Sequence, residues 1–246
     1  MKLIFATGNA GKLREAREIL APSGIEVLSP FDLGLTKEQV DVEETGTTFE
    51  ENAVIKVQNL WRLTGMPCFA DDSGLVVDAL GGAPGIYSAR YASLNGSGAD
   101  HNFASNIDRL LHEMQGVEDR RARFRCVVAL MLPAAGKVPC SALLCNPVRE
   151  NAPQGNCLPV GERLRELFRE VRTDEPGKIW TFSGKCEGRI ATTPAGCGGF
   201  GYDPVFIPDA YPDRTLAEVD EDAKNAISHR GNALRDMLRF YSARKG

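Results

Sequence analysis

Apolar positions along the chain change period several times, and each change marks an element. Lys2 to Thr7 is a short β-prone run ending in Gly8-Asn9-Ala10-Gly11, after which Lys12 to Leu20 places Leu13, Ala16, Ile19 and Leu20 on one helical face. The chain therefore opens strand, glycine turn, helix, and Ile25 to Leu28 predicts a second strand. Thr47-Thr48-Phe49-Glu50 has capping-box spacing, and the helix it heads carries Ala53, Val57, Leu60, Trp61 and Thr64 at helical intervals before Gly65 and Pro67 stop it. Cys68-Phe69-Ala70 predicts a strand leading into Asp71-Asp72-Ser73-Gly74, and Leu75-Val76-Val77 continues in β-prone residues. Gly81 to Gly85 is a loop, and Phe103 to Met114 a helix. Arg121 to Leu132 predicts a long strand whose uninterrupted apolar stretch from Cys126 onward implies burial on both faces. Ala134 to Gly177 differs in texture, rich in Pro, Gly and Asn with an amphipathic helix around Glu162 to Val171. Ile179 to Lys185 resumes as a strand, and a last helix over Ser228 to Ala243 carries Leu234, Met237, Leu238 and Tyr241 as its apolar stripe. Strands mixed with helices predict an α/β fold.

Composition narrows the function classes. A formal net charge of −4 argues against a general nucleic-acid binder but leaves an anionic small substrate open, because local charge outweighs the total. The opening apolar run is too short for a signal peptide and nothing approaches a membrane span, so a cytoplasmic protein without membrane or nucleic-acid partners is expected. The seven cysteines include no Cys-x-x-Cys pair, which points to reduced thiols rather than a disulfide framework or zinc ribbon.

Four segments carry candidate chemistry. Thr7-Gly8-Asn9-Ala10-Gly11-Lys12 puts a glycine turn at a helix N-terminus, where backbone N–H groups, the helix dipole and the Lys12 charge suit phosphate oxygens. It is not a Walker A loop, since Leu13 follows the lysine where Ser or Thr is required. Glu43-Glu44 and Asp71-Asp72, read as acidic pairs at strand ends, offer the one or two carboxylates that magnesium takes alongside water and phosphate. Adjacent strand residues point to opposite faces, so one of Asp71 and Asp72 enters a given site. Gly196-Cys197-Gly198-Gly199-Phe200-Gly201-Tyr202-Asp203-Pro204 contains G-x-G-x-x-G but leads into Tyr-Asp-Pro rather than a helix, so the dinucleotide reading fails; Phe200 or Tyr202 offers a ring on which a purine can stack. Lys224, then Ser228-His229-Arg230 at the head of the last helix, supplies donors, and arginine recognises the O6/N7 edge of a 6-oxopurine, which adenine lacks. Taken singly, each segment also suits an ordinary turn, cap or surface charge.

Their order and wording together are specific. Ala6 to Lys12, Glu43 to Gly46, Thr48 to Ala53, Ala70 to Leu75, Gly81 to Tyr91, Gly199 to Pro204 and Ser228 to Leu234 follow one another from end to end. In these stretches the chain resembles the inosine triphosphate pyrophosphatase family, in particular its bacterial XTP/dITP diphosphatases of the Ham1/RdgB type. The resemblance implies one α/β domain with a long central mixed sheet flanked by helices, in two lobes with the active-site cleft between them, assembled as a homodimer. It implies magnesium-dependent hydrolysis of dITP, ITP and XTP to monophosphate and pyrophosphate, which cleanses the nucleotide pool. Thr7, Gly8, Asn9, Ala10, Gly11 and Lys12 then hold the triphosphate and Ser73 contacts substrate, while Phe200, Gly201, Tyr202, Asp203, Lys224, His229 and Arg230 line the nucleoside pocket. Asp72 is the implied general base and metal ligand, and Glu43 of the Glu43-Glu44 pair the second metal carboxylate. The segment from about 134 to 178 is longer than the family pattern expects and holds none of its motifs. The nearest rival is a Maf-type pyrophosphatase, against which the Ser-His-Arg helix start and the Gly-Phe-Gly-Tyr-Asp loop speak. A non-catalytic nucleotide binder is disfavoured because it has no need of Asp72, Glu43 and Lys12 together.

Overall fold

The computed structural model describes residues 1–96, 102–133 and 177–243. Its strands and helices are β1 (Lys2–Phe5), α1 (Ala10–Leu20), β2 (Glu26–Leu28), α2 (Lys37–Val40), α3 (Phe49–Thr64), β3 (Cys68–Val77), α4 (Phe103–Glu113), β4 (Arg121–Pro133), β5 (Gly177–Ile190), β6 (Phe206–Pro208), α5 (Glu221–Ile227) and α6 (His229–Ala243). The strands form one six-stranded sheet in the order β2-β1-β3-β4-β5-β6. It is mixed: β1 runs parallel to both β2 and β3, and β5 antiparallel to β6. A strand with two parallel neighbours is covered on both faces, which is why Leu3, Ile4 and Phe5 are all but fully buried.

The chain gathers into two compact units. The first comprises Met1–Gly46, Glu51–Asp71 and, among the described residues, 129–133 and 177–181. Its core is built on paired strands: Phe5 of β1 lies opposite Phe69 of β3, and the rings stack at 4.4 Å. Helix α1 turns Ala16 and Leu20 inward, and α3 turns in Ala53, Val57 and Leu60, the positions their helical spacing predicts. Helix α3 ends where Gly65 adopts the left-handed conformation and donates its N–H to Trp61 O at 2.7 Å. The second unit comprises Thr47–Glu50, Asp72–Val128 and the chain from Phe182 onward. Its core joins Leu75, Val77, Phe124, Ile190 and Phe206 to Ile107 and Leu110 of α4 and to Met114, which caps that helix. From Cys126 to the end of β4 every residue is buried, as its apolar run predicts.

Several boundaries differ from the sequence reading. Strand β1 stops at Phe5, because Thr7 already turns back to donate its N–H to Phe5 O. Helix α3 begins at Phe49, so Thr48 rather than Thr47 is the residue flanking it. Asp71 and Asp72 do not end a strand: β3 runs through them to Val77. Glu43 and Glu44 lie in irregular chain after α2, not beside a strand. Strand β5 extends from Gly177 to Ile190, well beyond the predicted Ile179 to Lys185, since charged residues alternate with buried ones on its far half and give no continuous apolar signal. Gly177 and Lys178, assigned to the insert, therefore begin a strand, while 134–176, including the helix predicted at Glu162 to Val171, lie outside the described residues. No helix among the described residues is long and apolar enough to cross a membrane.

Candidate active site

The turn between β1 and α1 is built by Asn9. Its side-chain oxygen accepts the Lys12 N–H at 3.1 Å, capping α1, while its own N–H donates to Thr7 Oγ1 at 3.1 Å. The loop is thus fixed by its own polar side chains, and first-turn amides of a helix have no carbonyl one turn earlier to bond. Lys12 reaches Asp71: its Nζ donates to Oδ1 at 3.1 Å, the carboxylate being almost wholly buried. Asp71 thereby takes the role of holding the lysine, and Lys12 retains donors for a second anion. Asp72, also buried, is the other carboxylate of the pair.

Between α2 and α3, Gly46 donates its N–H to the fully buried Asn52 side chain at 2.9 Å. A Cβ at Gly46 would stand 2.5 Å from that amide oxygen, so the close approach requires glycine. Glu44 meets Lys56 Nζ at 3.3 Å, whereas Glu43 beside it is exposed. Of the two, Glu43 is the carboxylate not already matched by Lys56. No group of three or more His, Cys, Asp or Glu side chains suited to a metal gathers among the described residues. A cation using these carboxylates would take one or two of them and complete its shell with water and phosphate, which is how magnesium binds.

In the second unit Ser228 caps α6, its Oγ accepting the Gly231 N–H at 2.9 Å. The residues that follow are not surface charge. His229 lies flat against Phe124 with ring centroids 4.8 Å apart, and Arg230 is 1% exposed. Burying a guanidinium is costly unless it is hydrogen-bonded, and Arg230 Nη2 donates to Ser73 Oγ at 3.0 Å. Lys224 Nζ donates to Asp203 at 2.6 Å, and the same carboxylate oxygen accepts the Phe200 N–H at 2.8 Å. The Phe200 ring stands 5.1 Å from the Lys224 ammonium and 5.7 Å from the Arg230 guanidinium. One half-buried ring thus sits beside two buried cations. Gly199, at φ 74°, is needed here, since a Cβ would fall 2.2 Å from the Asp203 carboxylate.

Tyr202 corrects the sequence reading. Its ring belongs to the core, whereas the Phe200 ring is half-buried; burial pushes the Tyr202 phenol well above its usual pKa, and its hydroxyl donates to Ser88 O at 3.0 Å.

A sequence model of the Ham1 family matches residues 3–142 and 167–240. The chain belongs to the Ham1 family. It is 41% identical over 238 residues to the dITP/XTP pyrophosphatase of Bacillus licheniformis, covering 96% of this chain and 95% of that one. It is 39% identical over 239 residues to the dITP/XTP pyrophosphatase of Shigella flexneri, covering 96% of each. Among solved structures it resembles a HAM1 protein from Coxiella burnetii, with a TM-score of 0.70, 33% identity and 99% of each chain covered. The stretch that the Ham1 match skips, 143–166, falls inside the segment read as an insert.

Sequence reasoning missed the Lys12–Asp71 pair, the buried Asn52 and Asn106, and any role for Ser88. Ser88 lies in the Gly81 to Tyr91 stretch, which served only to mark the resemblance. The cysteines add a check. Burial raises the thiol pKa of Cys68 and pushes Cys186 up to about 12, while Cys126 is also buried and Cys197 is exposed. Under native conditions iodoacetamide is therefore expected to label Cys197 ahead of Cys68, Cys126 and Cys186. Peptide mass spectrometry over a time course checks this, and early labelling of a buried thiol would contradict the packing.

Proposed function

We propose that this Ham1-family chain hydrolyses inosine- and xanthosine-type purine nucleoside triphosphates (dITP, ITP, XTP) to the monophosphate and pyrophosphate. The observation that carries the reading is the buried pair of cations, Lys224 and Arg230, beside the Phe200 ring. A flat ring flanked by fixed donors suits a planar base bearing acceptors, and two relatives of about 40% identity bear the name dITP/XTP pyrophosphatase.

The capped loop Thr7 to Lys12 binds phosphate oxygens through its amides and the lysine ammonium, which Asp71 keeps in position. Ser73, Phe200 to Asp203, Lys224, His229 and Arg230 form the nucleoside side of the site, Phe200 by stacking and Arg230 by donating toward O6. Asp72 takes the proton of the water that attacks the α-phosphorus; the α–β anhydride bond breaks and pyrophosphate leaves. Asp72 and Glu43 are the residues that would hold magnesium, which when bound neutralises charge on the phosphate oxygens. The carboxylate chemistry fits a hard cation of this kind. A homodimer in the cytosol belongs to the same proposal.

Hydrolysis in oxygen-18 water tests the bond broken. Attack at the α-phosphorus places the label in dIMP and leaves pyrophosphate unlabelled. Label found in pyrophosphate, or release of orthophosphate, would place the reaction elsewhere.

A further inference from the structure

We infer that Ser88 is a positioning residue for nucleoside recognition, acting through Tyr202 and through the strand that carries Ser73. The inference rests on the nucleotide reading above. Ser88 sits in the short 3-10 segment Gly85–Arg90 and is 7% exposed. Its hydroxyl accepts the Leu75 N–H at 2.9 Å and donates to Gly85 O at 2.6 Å. Its carbonyl accepts the Tyr202 hydroxyl at 3.0 Å and the Asn106 amide at 3.3 Å. One residue thus grips the backbone two positions beyond Ser73 and the aromatic inside the Phe200 to Asp203 turn.

The approach is specific. A Cβ on Gly74, the residue between Ser73 and Leu75, would lie 2.4 Å from Ser88 Oγ and 2.3 Å from Gly85 O. Asn106 of α4 also holds the segment, accepting the Ala92 N–H at 2.7 Å and donating to Ala89 O at 3.2 Å. Tyr202 is only 3% exposed and its phenol stays protonated, so within the turn it serves as a tether rather than a stacking surface. The tether matters because of what hangs on each end. Ser73 accepts a hydrogen bond from Arg230, and the tethered turn carries Phe200 and Asp203, the latter gripping Lys224. Ser88 therefore sets the placement of the ring and of both cations without touching a ligand itself.

The test uses the full chain with Tyr202→Phe, which removes one hydroxyl, and Ser88→Ala. Steady-state kinetics with dITP are compared with inhibition by inorganic tripolyphosphate, which has no base. Ser88→Ala removes the two hydroxyl bonds to Leu75 N–H and Gly85 O, and Tyr202→Phe the bond to Ser88 O; either should raise KM for dITP about five- to ten-fold. Turnover should change by less than about two-fold and tripolyphosphate inhibition not at all, a split that general loosening of the fold does not produce. The double variant should fall short of the product of the singles, because both act on one linkage. Unchanged KM in the folded variants, or an equal loss of tripolyphosphate affinity, would overturn the inference. Should Ser88→Ala fail to fold by circular dichroism, Tyr202→Phe decides alone. A wild-type chain inactive on every purine triphosphate would instead sink the nucleotide reading and this inference with it; an active wild type with unaltered variants sinks only the tether.

Discussion

Replacing Asp72 by Asn should lower turnover of dITP by about 10²-fold or more, the scale of losing a general base, while leaving the fold and thermal midpoint close to those of the parent. Asn has the shape of Asp but neither takes a proton at neutral pH nor supplies a full charge to a cation. Asp72 is 6% exposed, so a change of volume there would disturb packing, and the isosteric replacement avoids that. The neighbouring Asp71→Asn is the instructive contrast. Asp71 accepts a hydrogen bond from Lys12, so its loss should appear as weaker triphosphate binding, a rise in KM, with a smaller effect on turnover. A folded Asp72→Asn protein that turns over dITP at near the parent rate would remove Asp72 from the chemistry, and an equal collapse in Asp71→Asn would mean the two carboxylates act as one unit.

The second large effect is expected at Arg230. On the proposed reading Arg230 donates to O6, and loss of such a contact should cost roughly 1–3 kcal/mol of base discrimination. Arg230→Ala should reduce kcat/KM for dITP far more than for dATP and narrow the ratio between them. Arg230 is also buried and hydrogen-bonded to Ser73, so the alanine variant loses stability as well as recognition. Arg230→Lys keeps the charge in a smaller space but forfeits the planar fork, and it should narrow the ratio with less loss of stability. Lys12→Ala should weaken dITP and dATP alike, since it acts on phosphate. If both Arg230 variants slow dITP and dATP equally, Arg230 is a structural or phosphate residue and base reading lies with His229 or the Phe200 turn.

How much of this was legible in the chain depended on whether a residue's partner is near in sequence. The glycine turn ahead of the first helix, the stop at Gly65 and the buried run of β4 are local, and period or spacing gives them directly. The candidate segments were likewise visible as motifs, though only their joint order raised them above ordinary turns. What spacing could not give is pairing across the fold. Lys12 and Asp71 are 59 residues apart and Tyr202 and Ser88 are 114 apart; no periodicity links them. Tyr202 shows the cost. Two residues from Phe200 in the sequence, its ring suits stacking as well as that of Phe200 does, and only packing reveals that it belongs to the core. The far half of β5 was missed for a different reason: its buried positions, Gly184, Cys186, Gly188 and Ile190, alternate with Lys185, Glu187 and Arg189 and include two glycines, so burial there does not read as an apolar run.

Selective cleavage of inosine- and xanthosine-type purine nucleoside triphosphates at the α–β bond is the core of the proposed function. The most direct test is kcat/KM for pyrophosphate release measured over dITP, XTP, dGTP, dATP and dCTP with magnesium present. Pyrophosphate and monophosphate are expected as the only products, with dITP and XTP preferred over the others by about tenfold or more, the range that one lost or unmatched base contact produces. Equal rates across the panel, or a pyrimidine or adenine nucleotide as the best substrate, would contradict it.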